Sequence, residues 1–258
     1  MCLLFSNGMQ AISFEGFEGR EESLKTILRY NVPRRTPMWY RTNLFLHSHR
    51  VFLIVRELLT RAVPIYGSAL DPAKALTLAL VHDDAEIVTG DHQLDDKEKW
   101  TKAQHEENHR KELAAIEELA ARWPSQINGY EYRLLLTHAL TKDCLEAQIV
   151  SLADKIDGFC ESVHEVVAGN ALFEEPVSLY PDRLNAFPKR FSKLRYLIPS
   201  AHPFLRLVQP LPVSALLSRG SPHTIGSVHL QTDSPHYEKW KQLSIAYIGR
   251  SCLVDRKE

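Results

Sequence analysis

Cysteine is scarce in this chain. Its four residues, Cys2, Cys144, Cys160 and Cys252, lie far apart and show no C-x-x-C spacing. That excludes a disulfide framework or a zinc ribbon and predicts reduced thiols in a cytoplasmic protein. Long apolar runs are also missing. Nothing approaches the roughly 18 residues a membrane span needs, so no membrane partner is expected. The first residues, Met1 to Ser6, have no basic region ahead of a short apolar run and do not read as a secretory signal. Neither sign of charge prevails: 31 Lys and Arg face 32 Asp and Glu, for a net charge of -1. That balance gives no whole-molecule attraction to nucleic acid, and none is expected as a partner. Val, Ile and Thr never gather into a series of alternating strands joined by hairpin turns, which excludes a sheet architecture. There is no internal repeat and no low-complexity tract. What remains is 258 residues, 44% hydrophobic and 24% charged, a globular composition long enough to bury a core without staples.

The pattern that is present is helical, and the expected fold class is all-α. The boundaries read as a domain over 20–198 followed by an extension over 199–258, where Pro199, Pro203, Pro210, Pro212 and Pro222 break any long helix. Short helix signals cover Glu21 to Tyr30. A second helix runs from Leu46 to Ala62 and stops before Pro64. A third starts at the Asp71-Pro72 signal, is apolar all round from Ala75 to Val81, and ends at Thr89-Gly90. Further helices are expected over 97–122, 127–140, 145–168 and 189–197, with one more over 236–249. The 145–168 segment is the clearest. Leu145, Ile149, Leu152, Ile156, Phe159, Val163 and Val166 alternate steps of four and three, which makes one buried stripe.

The chemistry is concentrated at His82-Asp83, near the end of the apolar third helix. Glu86 follows at i+4 from His82 and i+3 from Asp83, so three polar groups share a helical face. Isolated charges at the end of an apolar helix need water, a metal or partners, since burying one alone is worth several kcal/mol against folding (about that order). His47 at the start of the second helix and Asp154 on the 145–168 helix are matching partners. Asp157 is a rival for Asp154. Two imidazoles and two carboxylates would hold one divalent cation with positions left open. Such mixed nitrogen and oxygen donors suit Mn, Co, Fe, Zn or Ni, with Mg as a further candidate.

These residues resemble a known family. His47, His82-Asp83 and Asp154 form the H…HD…D pattern of the HD superfamily of metal-dependent phosphohydrolases. The segment Val81-His82-Asp83-Asp84-Ala85-Glu86-Ile87-Val88-Thr89-Gly90-Asp91 resembles the signature of the HD-domain 5′-deoxynucleotidases, as does Ala147 to Lys155. The likeness covers about residues 20 to 185. The chain departs from the pattern at Leu46, where the family carries Glu, and after Asp91, where it carries Pro.

The resemblance implies an HD helical bundle in which His47, His82, Asp83 and Asp154 are metal ligands. It implies hydrolysis of a nucleoside 5′-monophosphate, a deoxynucleotide above all, with a small-molecule nucleotide as partner. A divalent cation supplies hydroxide at neutral pH by lowering the pKa of a bound water to about 7. Glu86 is placed to orient or deprotonate that water, and Asp91 to reach the sugar or the leaving oxygen. Arg35 or Arg41 would clamp the phosphate, and Trp39 would stack on a base. Two other readings stay open. His105 and His109, spaced i, i+4, would make the site binuclear and suit another phosphohydrolase or an oxygenase. A metal kept for structure would make the chain a nucleotide-binding regulatory module. A homodimer is compatible with every reading.

Overall fold

The computed structural model describes residues 12–31, 38–39, 42–92, 97 and 99–197. Arg35, Arg41 and the 199–258 extension lie outside the described residues. Within them the expected all-α class holds, with one small exception described below.

Helix α1 (Arg20–Thr26) is shorter than its sequence signal. After it, Leu28 forms an isolated antiparallel bridge with Asn43, and the chain turns at Arg29 and Tyr30 beside the segment leading into α2 (Leu44–Tyr66). The Arg29 N–H donates to the Thr42 carbonyl at 3.1 Å and the Leu44 N–H to the Ile27 carbonyl at 3.1 Å. This pairing draws Arg29 and Tyr30 to the start of α2. Asn43 caps α2 by accepting from the Leu46 N–H, and Val51, Phe52, Val55, Leu59 and Ala62 form its buried stripe. The helix does not stop before Pro64, as the sequence predicts, but continues to Tyr66. Pro64 falls in the last turn, where the missing N–H removes one bond from an end that frays in any case.

Helix α3 (Pro72–Val81) is capped by Asp71, which accepts from the Lys74 N–H, and everything from Ala75 to Val81 is buried. The expected single helix to Thr89 is in fact interrupted. His82 to Ala85 form a turn, and α4 (Glu86–Thr89) resumes after it. The turn is tightened by i→i+3 bonds: Asp84 N–H to Val81 carbonyl at 3.0 Å, and Glu86 N–H to Asp83 carbonyl at 2.9 Å. Gly90 closes α4 with φ +79°, where a side chain would be strained.

Helix α5 (Lys102–Arg122) begins later than the expected residue 97. Thr101 and Gln104 make a reciprocal capping box that sets its start. The exception to the all-α class is a two-residue antiparallel pair, β1 (Gln126–Ile127) and β2 (Tyr130–Glu131). Asn128 and Gly129 sit between them, both at positive φ. Asn-Gly favours that hairpin turn, so the helix expected from 127 starts only at α6 (Tyr132–Thr141).

Helix α7 (Leu145–Val167) matches its sequence pattern, and all seven stripe residues are buried. It is the central element and packs against α2, α3 and α8. Helix α8 (Glu174–Arg190) is not expected from the sequence, because Pro176, Pro181 and Pro188 interrupt its pattern. Pro176 lies in the first turn, where a missing N–H removes no helical bond. The helix expected over 189–197 is replaced by the end of α8 and a 3-10 turn, Ser192–Tyr196. Among the described residues no helix is long and apolar enough to cross a membrane.

The turn after α3 is anchored by a buried ion pair. Arg20 Nε donates to Asp84 Oδ2 at 2.7 Å and Arg20 Nη2 to Asp84 Oδ1 at 2.6 Å. The same Nη2 donates to the Leu80 carbonyl, and the Tyr132 hydroxyl donates to Asp84 Oδ2 at 2.8 Å. Asp84 is fully buried and Arg20 is 5% exposed. Removing one partner of such a pair leaves an uncompensated buried charge, worth roughly 3–5 kcal/mol. Arg20→Ala should therefore lower Tm by at least about 6 °C. Arg20→Lys should rescue little of it, since an ammonium cannot make the two-pronged contact. A thermal melt of either variant at the wild-type Tm would contradict this account.

Candidate metal centre

His47 sits one turn into α2, fully buried, and its ring is fixed from behind. Its Nδ1 is 2.7 Å from Asp157 Oδ2 on α7. Asp157 is also gripped by Arg50, which donates from Nε to Oδ1 at 2.7 Å and from Nη2 to Oδ2 at 2.9 Å. An ionised Asp157 can only accept, so Nδ1 carries the hydrogen and Nε2 presents its lone pair inward. His82 is fixed in the same way, with Nδ1 2.9 Å from the Ala79 carbonyl. Both Nε2 atoms are buried and have no hydrogen-bond partner.

These two lone pairs face carboxylates. His47 Nε2 is 3.2 Å from Asp83 Oδ2 and 3.3 Å from Asp154 Oδ1. His82 Nε2 is 3.3 Å from Asp83 Oδ1. Donor atoms of His47, His82 and Asp154 all lie within 4.8 Å of one another. A lone pair facing an ionised carboxylate is repulsive unless a positive charge lies between them. Two ligands each about 2.1 Å from a cation fall roughly 3.0–3.4 Å apart, so the observed spacings fit a shared divalent ion. The four residues present are thus a consistent nitrogen and oxygen donor set for a metal.

Electrostatics agree with that fit. Burial and Arg29 oppose a charge on His47, yet the Asp154, Asp157 and Asp83 carboxylates outweigh them and raise its pKa well above the usual value. The set favours positive charge at His47. Burial pushes Asp83 up, but His82 and His47 hold it well below the carboxylate range. Asp154 is likewise held down against burial, by Lys155 and His47. Glu86 goes the other way. Burial, then Asp83 and Asp91, push its pKa well above normal, and its Oε2 is buried without a partner. Neighbouring carboxylates with pKa values driven apart mark different roles: Asp83 and Asp154 stay ionised, and Glu86 is the more basic carboxylate, suited to take up a proton.

The donor set opens onto a cavity of about 680 Å³, lined by Arg29, His82, Asp83, Glu86, Asp91 and Asp154 among others. The structure therefore gathers the four ligand candidates with Glu86 and Asp91. Asp91 accepts from the Tyr30 N–H at 3.3 Å. Trp39 is not brought there. It does not line the cavity, and its backbone N–H donates to Glu165 Oε2 at 2.9 Å. Asp157, the rival ligand, lies behind His47 and is taken up by Arg50. His105 and His109 line the same cavity from α5 but join no metal-competent group among the described residues.

Several residues at the site carry no sequence signal of their own. Arg29 donates from Nε to Glu161 Oε2 at 2.9 Å and places Nη1 3.9 Å from Asp83 Oδ2, at the cavity wall. Lys155 lies 2.5 Å from Asp154 Oδ2. Tyr30 lines the cavity and donates from its hydroxyl to the Gly158 carbonyl at 3.1 Å. A Cβ at Gly158 would collide with the Tyr180 hydroxyl, so this crossing of α7 and α8 requires glycine. The i+3 spacing of Asp157 from Asp154 is the one hint available beforehand, and it does not say which faces the metal.

Comparison with known proteins gives a concordant result. The family model for YfbR-like 5′-deoxynucleotidases matches residues 20–200. A 5′-deoxynucleotidase of Vibrio parahaemolyticus is 29% identical over 128 residues, 49% of this chain and 64% of that relative, so the match spans less than two thirds of it. A 5′-deoxynucleotidase of Pectobacterium atrosepticum is 30% identical over 152 residues, 58% of this chain and 72% of the relative. Among solved structures, an HD-domain phosphohydrolase from Listeria innocua aligns with TM-score 0.55 at 18% identity, covering 90% of this chain and 96% of its own. That likeness bears on the fold, which is the HD-domain helical fold.

Asp157 sets the tautomer of His47, and such supporting carboxylates typically contribute 10- to 100-fold to metal affinity. Asp157→Asn should weaken Mn²⁺ binding by about that factor, with helical content unchanged by circular dichroism. Unchanged affinity in a calorimetric titration would refute the orienting role.

Proposed function

We propose that this chain, which belongs to the YfbR-like 5′-deoxynucleotidase family, removes the 5′-phosphate of deoxynucleoside monophosphates in a reaction that depends on one divalent cation. One observation carries the reading. The orphaned Nε2 atoms of His47 and His82 face Asp83 and Asp154 at the floor of a cavity that also presents Glu86, Arg29 and Asp91.

His47, His82, Asp83 and Asp154 would hold the ion. A divalent cation there acidifies water and polarises a phosphoryl oxygen. The donor set does not choose among Mn, Co, Fe, Zn, Ni and Mg. Glu86, with its raised pKa, accepts the proton of the attacking water as the water oxygen bonds to phosphorus. The P–O5′ bond breaks, and the nucleoside leaves as its alcohol after taking a proton from solvent. Arg29, one of the arginines lining the cavity, is the one beside the metal set and is offered to the phosphate oxygens, with Glu161 and Asp83 holding it in place. Lys155 offsets the charge of Asp154. Asp91, with its carboxylate fixed by the Tyr30 N–H, faces the sugar. Its charge disfavours further phosphates, and its bulk disfavours a 2′-hydroxyl.

Phosphate release from dAMP, AMP, dADP and cyclic AMP, assayed with Mn²⁺, Co²⁺, Mg²⁺, Zn²⁺ and Ni²⁺, tests this. The terminal monoesters should have the highest kcat/KM, with dAMP above AMP. Glu86→Gln should lose about 10²- to 10⁴-fold in kcat while retaining its metal. A preference for cyclic or polyphosphate substrates would overturn the nucleotidase reading. Loss of metal in Glu86→Gln would move that residue into the ligand set.

A further inference from the structure

The cavity that holds the metal set and Asp91 also carries a cluster of aromatic rings. His92 follows Asp91 directly, and its ring lies 5.4 Å from that of Trp100 at 75°. Trp100 in turn lies 5.5 Å from His105 at 64°. All three residues line the cavity. The capping box at Thr101 and Gln104 holds Trp100 immediately before α5 and His105 in its first turn. The Trp100 N–H donates to the Lys97 carbonyl at 3.3 Å, closing the turn in front of the helix. These rings are not core plugs: Trp100 and His92 are half-buried and His105 is exposed. Burial, then Lys97, lower the His92 pKa, which favours its neutral ring. The i, i+4 pair His105 and His109, which suggests a second metal in sequence, has its first member in this aromatic corner instead.

In sequence the cavity-lining groups run from His82 and Asp83 of the metal set through Glu86 and Asp91 to His92, whose ring meets Trp100, which meets His105. A nucleotide joins phosphate, sugar and base in a comparable succession. With the phosphate at the cation and the sugar at Asp91, its planar base falls at the rings. A rim of perpendicular aromatic rings offers π-faces and edges that any base can meet, with no hydrogen-bond code. We propose that His92, Trp100 and His105 form a nucleobase-stacking subsite, with Trp100 as its principal platform. This deepens the 5′-nucleotidase reading and rests on it. The subsite accepts every base and favours purines, which overlap more ring area than pyrimidines.

The test is a calorimetric titration of the metal-loaded full chain, with Glu86→Gln present to hold back turnover. The ligands are dAMP, dCMP and 2-deoxyribose 5-phosphate, which has the phosphate and sugar but no base. Adding Trp100→Ala should weaken dAMP about tenfold, the scale of one base–aromatic stack. It should weaken dCMP less and leave 2-deoxyribose 5-phosphate unchanged. Trp100→Phe should restore most of the dAMP affinity. Equal losses for dAMP and 2-deoxyribose 5-phosphate, or no loss for dAMP, would overturn the subsite. Failure of the nucleotidase reading would show separately, as no phosphate release from any monophosphate when Glu86 is intact.

Discussion

Everything at this site depends on the hydrogen bond between His47 Nδ1 and Asp157. It decides which imidazole nitrogen faces the cavity, and so whether the floor can hold a cation. The bond is not isolated. Arg50 binds both oxygens of Asp157 and also pairs with Glu161, which is bound on its other side by Arg29. Carboxylates buried on α7 are thus compensated one by one by cations from α2 and from the strand-like segment before it. Two carboxylates, Asp83 and Asp154, meet lone pairs instead of donors on the His side. Lone pairs facing carboxylates repel unless a cation lies between them, so the arrangement suits a metal ion there, while Lys155 and Arg29 approach Asp154 and Asp83 from other sides.

The fold serves that arrangement through rigid elements. Helix α7 is buried along its whole stripe and carries Asp154, Asp157 and Glu161 at fixed separations. Helix α2 runs against it and delivers His47 and Arg50 one turn apart. Helix α3 cannot continue regularly through His82 and Asp83. The i→i+3 turn there brings both side chains to the floor, and the buried Arg20–Asp84 pair with the Tyr132 hydroxyl fixes the turn from outside. Asp83 and Asp84 are adjacent and identical in type but do opposite work, one facing the cavity and the other anchored in the core.

Much of this was legible in the residues. The four-and-three stripe of α7 needed only its spacing. The H…HD…D pattern with Glu86 and Asp91 picked out five residues that line one cavity, and His47, whose Nε2 meets two of them. The rest was hidden for identifiable reasons. Arg29 reaches the site because residues 27–29 pair with 42–44, a contact between separate segments that periodicity cannot reveal. The turn at His82 to Ala85 is set by the tertiary anchor on Asp84, while local propensity alone favours an unbroken helix. Helix α8 survives three prolines because α7 offers it a packing surface. The sequence points to Trp39 as the base platform, yet it is Trp100, held in front of α5 by the capping box, that lines the cavity.

The central claim is that the described residues form one site for one divalent cation. A Co²⁺ titration of the metal-free full chain, followed by its visible absorption, measures this directly. The account predicts saturation at one equivalent per chain, with the spectrum of a mixed nitrogen and oxygen ligand set. Saturation at two equivalents, or no uptake at all, would contradict it.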